Sequence, residues 1–167
     1  LNLDLLLGEC RTQLGLLEFP GHLMPVGHMG SMPVRLAEWA PGHGPQPMRT
    51  TAHYRQFLAR LRGLPGWIRQ AIINMDRGIA RGITLPRPLV ERALPQIEAL
   101  LPANPAASPY LAGLSRVPAS VTERERAALT QAYRRVVDQS ITPALQRLRT
   151  YLRERYLPRA TTAAGLG

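Results

Sequence analysis

Between Leu129 and Tyr156 apolar side chains recur every three or four residues: Leu129, Tyr133, Val136, Val137, Ile141, Leu145, Leu148, Leu152 and Tyr156. That period is one face of an α-helix. A β-strand is far too short to carry it. Ser120 with Glu123, or Thr122 with Glu125, supplies a capping box in which polar side chains satisfy orphan backbone donors. The pattern therefore predicts a helix over 120–158, about ten turns long. Its outward positions hold eight arginines (Arg124, Arg126, Arg134, Arg135, Arg147, Arg149, Arg153, Arg155) against Glu123, Glu125, Asp138 and Glu154. Pro143 predicts a kink near Ile141, because its ring clashes with the carbonyl four residues back, and Pro158 ends the helix. A face this long must be covered by other apolar surface.

The remainder of the chain is helical pattern cut by proline and glycine. Residues 1–18 place Leu3, Leu6, Leu7, Cys10, Leu14 and Leu17 on one helical face, which must end near Phe19-Pro20-Gly21. From Pro20 to Met48 six prolines, five glycines and four of the five methionines crowd together, too punctuated for a long helix. Leu23, Met24, Met29, Met32, Val34, Leu36 and Trp39 make 19–49 too apolar for a free linker. It reads as an irregular segment laid across a neighbouring surface, with a helical turn at Val34 to Trp39. Residues 50–101 read as several helices. Thr50 or Thr51 caps the first, which carries Tyr54, Phe57, Leu58 and Leu61 and breaks at Gly63-Leu64-Pro65-Gly66. Trp67 to Arg81 resumes, with Ile68, Ala71, Ile72, Met75 and Ile79 inward and Gly82 in the left-handed position past the end. Pro86 and Pro88 open another helix, with Leu89, Val90, Ala93, Leu94, Ile97, Leu100 and Leu101 as its stripe. Residues 102–119 are a second connection, anchored by Tyr110, Leu111 and Leu114. No strand alternation persists, and the fold class is all-α: a helical array with a long kinked C-terminal helix and a Pro/Gly/Met-rich segment.

Composition narrows the function classes. No apolar run approaches the roughly 20 residues of a membrane span. The single cysteine, Cys10, excludes an intramolecular disulfide and a multi-cysteine zinc site. The formal charge of +10 comes from 21 basic residues, all of them arginine. An electrostatic footprint for nucleic acid would gather them in a tract. Here they spread from Arg11 to Arg159 with no run longer than Arg134-Arg135, and the missing lysine reads as the codon bias of a GC-rich genome.

No constellation for catalysis stands out. His22, His28, His43 and His53 lie at intervals that match no helical ligand pair and have no carboxylate beside them. The serines lack an elbow or ordered partners. Gly78-Ile79-Ala80-Arg81-Gly82 reads as close packing plus a cap. Asp76 and Asp138 have no carboxylate partner for acid–base work. Met24, Met29, Met32 and Met48 read as filling for an irregular packed loop, against a soft-metal site or an adaptable binding surface. The sequence therefore offers no catalytic and no metal-ligating residue.

Four stretches in order carry a resemblance: Phe19-Pro20-Gly21-His22-Leu23-Met24-Pro25, Tyr54-Arg55-Gln56-Phe57-Leu58-Ala59-Arg60-Leu61, Gly78-Ile79-Ala80-Arg81-Gly82-Ile83-Thr84-Leu85-Pro86, and Tyr151-Leu152-Arg153-Glu154-Arg155-Tyr156-Leu157-Pro158. Together they resemble the N-terminal half of the bacterial family called domain of unknown function 885, over nearly the whole chain. The resemblance implies a longer, mostly helical parent that looks like a zinc metallopeptidase, with a His-Glu metal motif beyond the matched part. None of the four histidines here precedes a glutamate, so no zinc ligand or catalytic glutamate can be carried over. Both ends read as interior sequence. The expectation is a fragment without activity or cofactor of its own, zinc belonging to the full-length family, that walls or covers a peptide cleft. Arg60 and Arg81 are its candidate cleft residues, since arginine holds a carboxylate bidentately. Its expected partners are the missing catalytic half, or a second copy through exposed apolar faces. The alternative is an Arg-rich helical nucleic-acid-binding or adaptor protein. The compartment, cytoplasm or periplasm, stays open.

Overall fold

The computed structural model describes residues 2–119 and 121–162. Six α-helices account for most of the fold: α1 (Asn2–Glu18), α2 (Met32–Trp39), α3 (Thr51–Ala80), α4 (Arg87–Ala99), α5 (Glu123–Val136) and α6 (Thr142–Tyr151). Short 3₁₀ turns at Gly21–Leu23, Pro105–Ala107, Pro109–Arg116 and Leu157–Arg159 fill the connections. Among the described residues there is no strand, only an isolated bridge between Pro86 and Thr161. The all-α fold holds.

Helix α3 is the spine. Tyr54, Phe57, Leu58, Leu61, Leu64, Ile68, Ala71, Met75 and Gly78 are buried along one face, against α5, α6 and the turn between them. The expected break at Gly63-Leu64-Pro65-Gly66 does not occur: α3 runs through Pro65 for 30 residues. An interior proline costs about 3 kcal/mol. The buried stripe keeps its three-and-four spacing on both sides of Pro65, and burying one such side chain is worth about 2 kcal/mol. Packing of the two halves on a common partner thus outweighs the local penalty. The start is as expected, with the Thr50 hydroxyl accepting the His53 N–H at 3.3 Å.

The long C-terminal helix forms as α5 and α6, joined by a π-helical turn at Val137–Ile141 and followed by another at Leu152–Tyr156. Each π turn ends two residues before a proline, Pro143 and Pro158. The proline ring clashes with the carbonyl four residues earlier, which lies inside the π turn in both cases, and the wider turn moves it aside. The distortion expected near Ile141 is therefore a π turn in a continuing helix. Thr122 caps α5: its hydroxyl accepts the Glu125 N–H and donates to the Glu125 carboxylate at 3.0 Å. The Ser120 half of the capping prediction lies outside the described residues.

The apolar stripe of the long helix is covered within the chain: Leu129, Tyr133, Val137, Ile141, Leu145, Leu148, Leu152 and Tyr156 are all buried. The two punctuated segments supply the missing cover. Residues 109–116 pack on α2 and α5, with the Tyr110 hydroxyl donating to the Pro33 carbonyl at 3.0 Å. The Tyr54 hydroxyl donates to the Gly113 carbonyl at 3.1 Å, and the Tyr133 hydroxyl to the Tyr54 carbonyl at 2.7 Å. Exposed apolar surface is instead concentrated on α1.

Candidate functional site

The third of the four stretches, Gly78 to Pro86, sits where the chain crosses itself. Ile83 N–H returns to the Gly78 carbonyl at 2.8 Å and Gly82 N–H to the Ile79 carbonyl at 3.1 Å, the paired bonds of a Schellman end. Gly82 takes φ +69°, as that end requires. A Cβ on Gly78 would lie 2.5 Å from the Ile83 carbonyl oxygen and 3.1 Å from that of Leu23, so only glycine lets residues 21–23 cross α3 here. The next residues bind the C-terminal segment. Leu85 N–H donates to the Tyr156 hydroxyl at 2.9 Å, Thr161 N–H to the Thr84 hydroxyl at 3.1 Å, and Arg87 N–H to the Thr161 carbonyl at 2.8 Å. Three of the four signature stretches thus meet at one end of α3. Their contacts are backbone crossings and closing bonds, so the glycines close the fold, as close packing plus a cap.

Midway along α3 lies a different kind of surface. Met32, Leu36 and Trp39 of α2 and Leu64 and Trp67 of α3 line a groove of about 350 Å³, together with Arg60 and Gly63. Trp39 and Trp67 are half-buried and Arg60 is exposed. They are the only two tryptophans in the chain. Each presents part of a large rigid ring to whatever occupies the groove. The lining is almost wholly apolar, so its indole and aliphatic walls fit a hydrocarbon group, with Arg60 beside it as an exposed cation.

Arg81 is elsewhere. It is exposed at the C-terminal end of α3, its backbone N–H bonded to Arg77 and Gly78. On a straight helix its position lies roughly 30 Å from that of Arg60. The structure does not bring the two candidate arginines together. A second groove, between Arg69 and Arg147 over Pro65, Ile68, Ile72 and Ile73, opens on the α6 side of α3.

Farther along, Asp76 is held by two donors, the Tyr151 hydroxyl at 2.9 Å and Arg155 Nε at 2.8 Å. Burial first, and then this bond to the carboxylate, push the Tyr151 hydroxyl well above the ordinary tyrosine range. Asp76 thus has a structural partner on α6, and the cluster ties α3 to the second π turn. Of the eight arginines on the C-terminal helix, Arg126 donates to the Pro118 carbonyl, Arg153 pairs with Glu98 and Arg155 with Asp76.

The histidines are scattered. His53 Nδ1 accepts the Arg49 N–H at 3.3 Å, and His43 Nε2 lies 3.4 Å from Arg116 Nη1. Among the described residues no group of three or more His, Cys, Asp or Glu is placed to hold a metal ion. The donors present do not fit a zinc site. The methionines also have unlike surroundings: Met48 is buried beside Gly42 and Gly113, whereas Met29 is 82% exposed. Among the described residues no helix is long and apolar enough to cross a membrane.

The sequence profile of the bacterial proteins of unknown function DUF885 matches residues 4–167, and the chain belongs to that family. No curated protein and no solved structure matches it.

Proposed function

We propose that this chain is the helical wall of a peptide-binding cleft in a zinc-metallopeptidase-like protein, with no catalytic power of its own. The observation that supports this reading is the apolar groove between α2 and α3, which Trp39 and Trp67 line together with Arg60. An apolar residue of a peptide seats against the two indoles, and Arg60 pairs with its carboxylate. The zinc and its ligands belong to other polypeptide of the full-length family, since the histidines here do not converge. No reaction step is assigned to these residues.

Because both tryptophans of the chain line the groove, their fluorescence reports occupancy without a label. The test is titration with N-acetyl-leucyl-leucine and with its C-terminal amide. The acid is expected to change the emission saturably and the amide to bind more weakly. Arg60→Ala should weaken the acid about tenfold and leave the amide unchanged. No emission change with either peptide, or equal binding of acid and amide, would overturn the reading. So would turnover of short peptides by this chain in added zinc.

A further inference from the structure

We infer that α1 is a pairing helix whose partner is α1 of a second copy of this chain, in antiparallel register. Leu3, Leu6, Leu7 and Leu14 are 67%, 60%, 45% and 63% exposed, and Cys10 between them is exposed and unpaired. The chain's own core covers none of these side chains. Their order is more specific than a greasy surface: Leu3, Leu7, Cys10 and Leu14 follow steps of four, three and four. Leu17 adds a step of three in the sequence, and the resulting average of 3.5 residues is the seam of a left-handed coiled coil.

Charge selects the occupant and the orientation. Positions beside the seam hold Asp4 and Arg11, and neither makes an ion pair with a described residue of its own chain. In an antiparallel pair with Leu3 opposite Leu14 and Leu7 opposite Cys10, same-type flanking positions face each other. Asp4 of one copy then lies about one helical step from Arg11 of the other, twice by symmetry. A parallel pair would set Leu6 against Arg11 and form no such ion pair. The interface is therefore self-complementary: four apolar layers closed by two ion pairs. With only about two heptads it makes a weak, reversible dimer.

Sedimentation equilibrium of the intact chain, from micromolar to submillimolar concentration, tests this. A monomer–dimer equilibrium is expected. Leu7→Glu with Leu14→Glu should weaken it on the order of 10³-fold. Because these side chains touch no core, the far-ultraviolet circular dichroism and the melting of the body should stay unchanged. Asp4→Arg alone should weaken the dimer on the order of tenfold at low salt, and adding Arg11→Asp should restore it. A monomer at every concentration overturns the inference. So does a dimer indifferent to the leucine pair, or one that the charge exchange fails to rescue.

Discussion

Replacing Gly78 with alanine sets two effects of opposite sign against each other. Helix propensity alone favours the change by about 1 kcal/mol, because glycine loses more backbone freedom on folding. The new Cβ, however, would stand 2.5 Å from the Ile83 carbonyl oxygen, where ordinary contact begins near 3.4 Å, a deficit of about 0.9 Å. The Leu23 carbonyl oxygen is 3.1 Å away on the other side. Both obstacles are backbone, so neither can rotate aside as a side chain would. Overpacking of this kind costs about 1–3 kcal/mol. Moving Ile83 also weakens its bond to the Gly78 carbonyl, worth about 1 kcal/mol. The net expectation is a loss of about 2 kcal/mol. Gly63, on the same helix, is the control: nothing lies within 4 Å of its added Cβ, so Gly63→Ala should gain about 1 kcal/mol. Urea denaturation followed by far-ultraviolet circular dichroism should separate the two variants by about 3 kcal/mol. If Gly78→Ala is as stabilising as Gly63→Ala, the backbone crossing at Gly78 is not what holds this end of α3.

Other perturbations read different parts of the structure. Pro65→Ala should stabilise the chain by about 1–2 kcal/mol in the same urea assay, since it restores an interior helix bond while giving up part of proline's hold on the unfolded chain; a loss would mean that the proline ring itself packs essentially. Tyr133→Phe removes the buried donor to the Tyr54 carbonyl and should cost about 1 kcal/mol, with little change in the slope of unfolding against urea. All five tyrosines have hydroxyl pKa values raised above the ordinary 10.0, chiefly by burial. Folded tyrosines therefore keep protons that unfolded ones release above pH 10, and stability must fall as pH rises through that point. The loss is up to about 1.4 kcal/mol per pH unit for each tyrosine still protonated in the folded state; urea midpoints flat from pH 10 upward would contradict the burial of these rings.

How much of this was legible beforehand depends on the range of the interaction concerned. The Thr50 and Thr122 caps, Gly82 at its Schellman end and Pro88 in the first turn of α4 are contacts within a few residues, and they stand where the sequence places them. The continuity of α3 through Pro65 was not legible, because the apolar faces of α5 and α6 that hold both halves lie more than 50 residues away. The meeting of Trp39 with Trp67 at the groove was equally hidden. Nothing in the sequence joins two residues 28 positions apart, and only the packing of α2 on α3 makes them walls of one groove. Arg60 was named from its chemistry and stands at that groove, while Arg81, named for the same reason, caps a helix end.

Periodicity and capping residues by themselves determine that this chain is helical, where most of its helices begin, and which side of each is apolar, because these depend on neighbours three or four positions apart. Which apolar side finds a partner within the chain is decided only in three dimensions. The stripe of the C-terminal helix, which looked the most in need of cover, is sealed by α3 and the punctuated loops, whereas Leu3, Leu6, Leu7 and Leu14 of α1 find no cover within the chain. Burial is a property of pairs of surfaces, and a one-dimensional pattern specifies only one member of each pair.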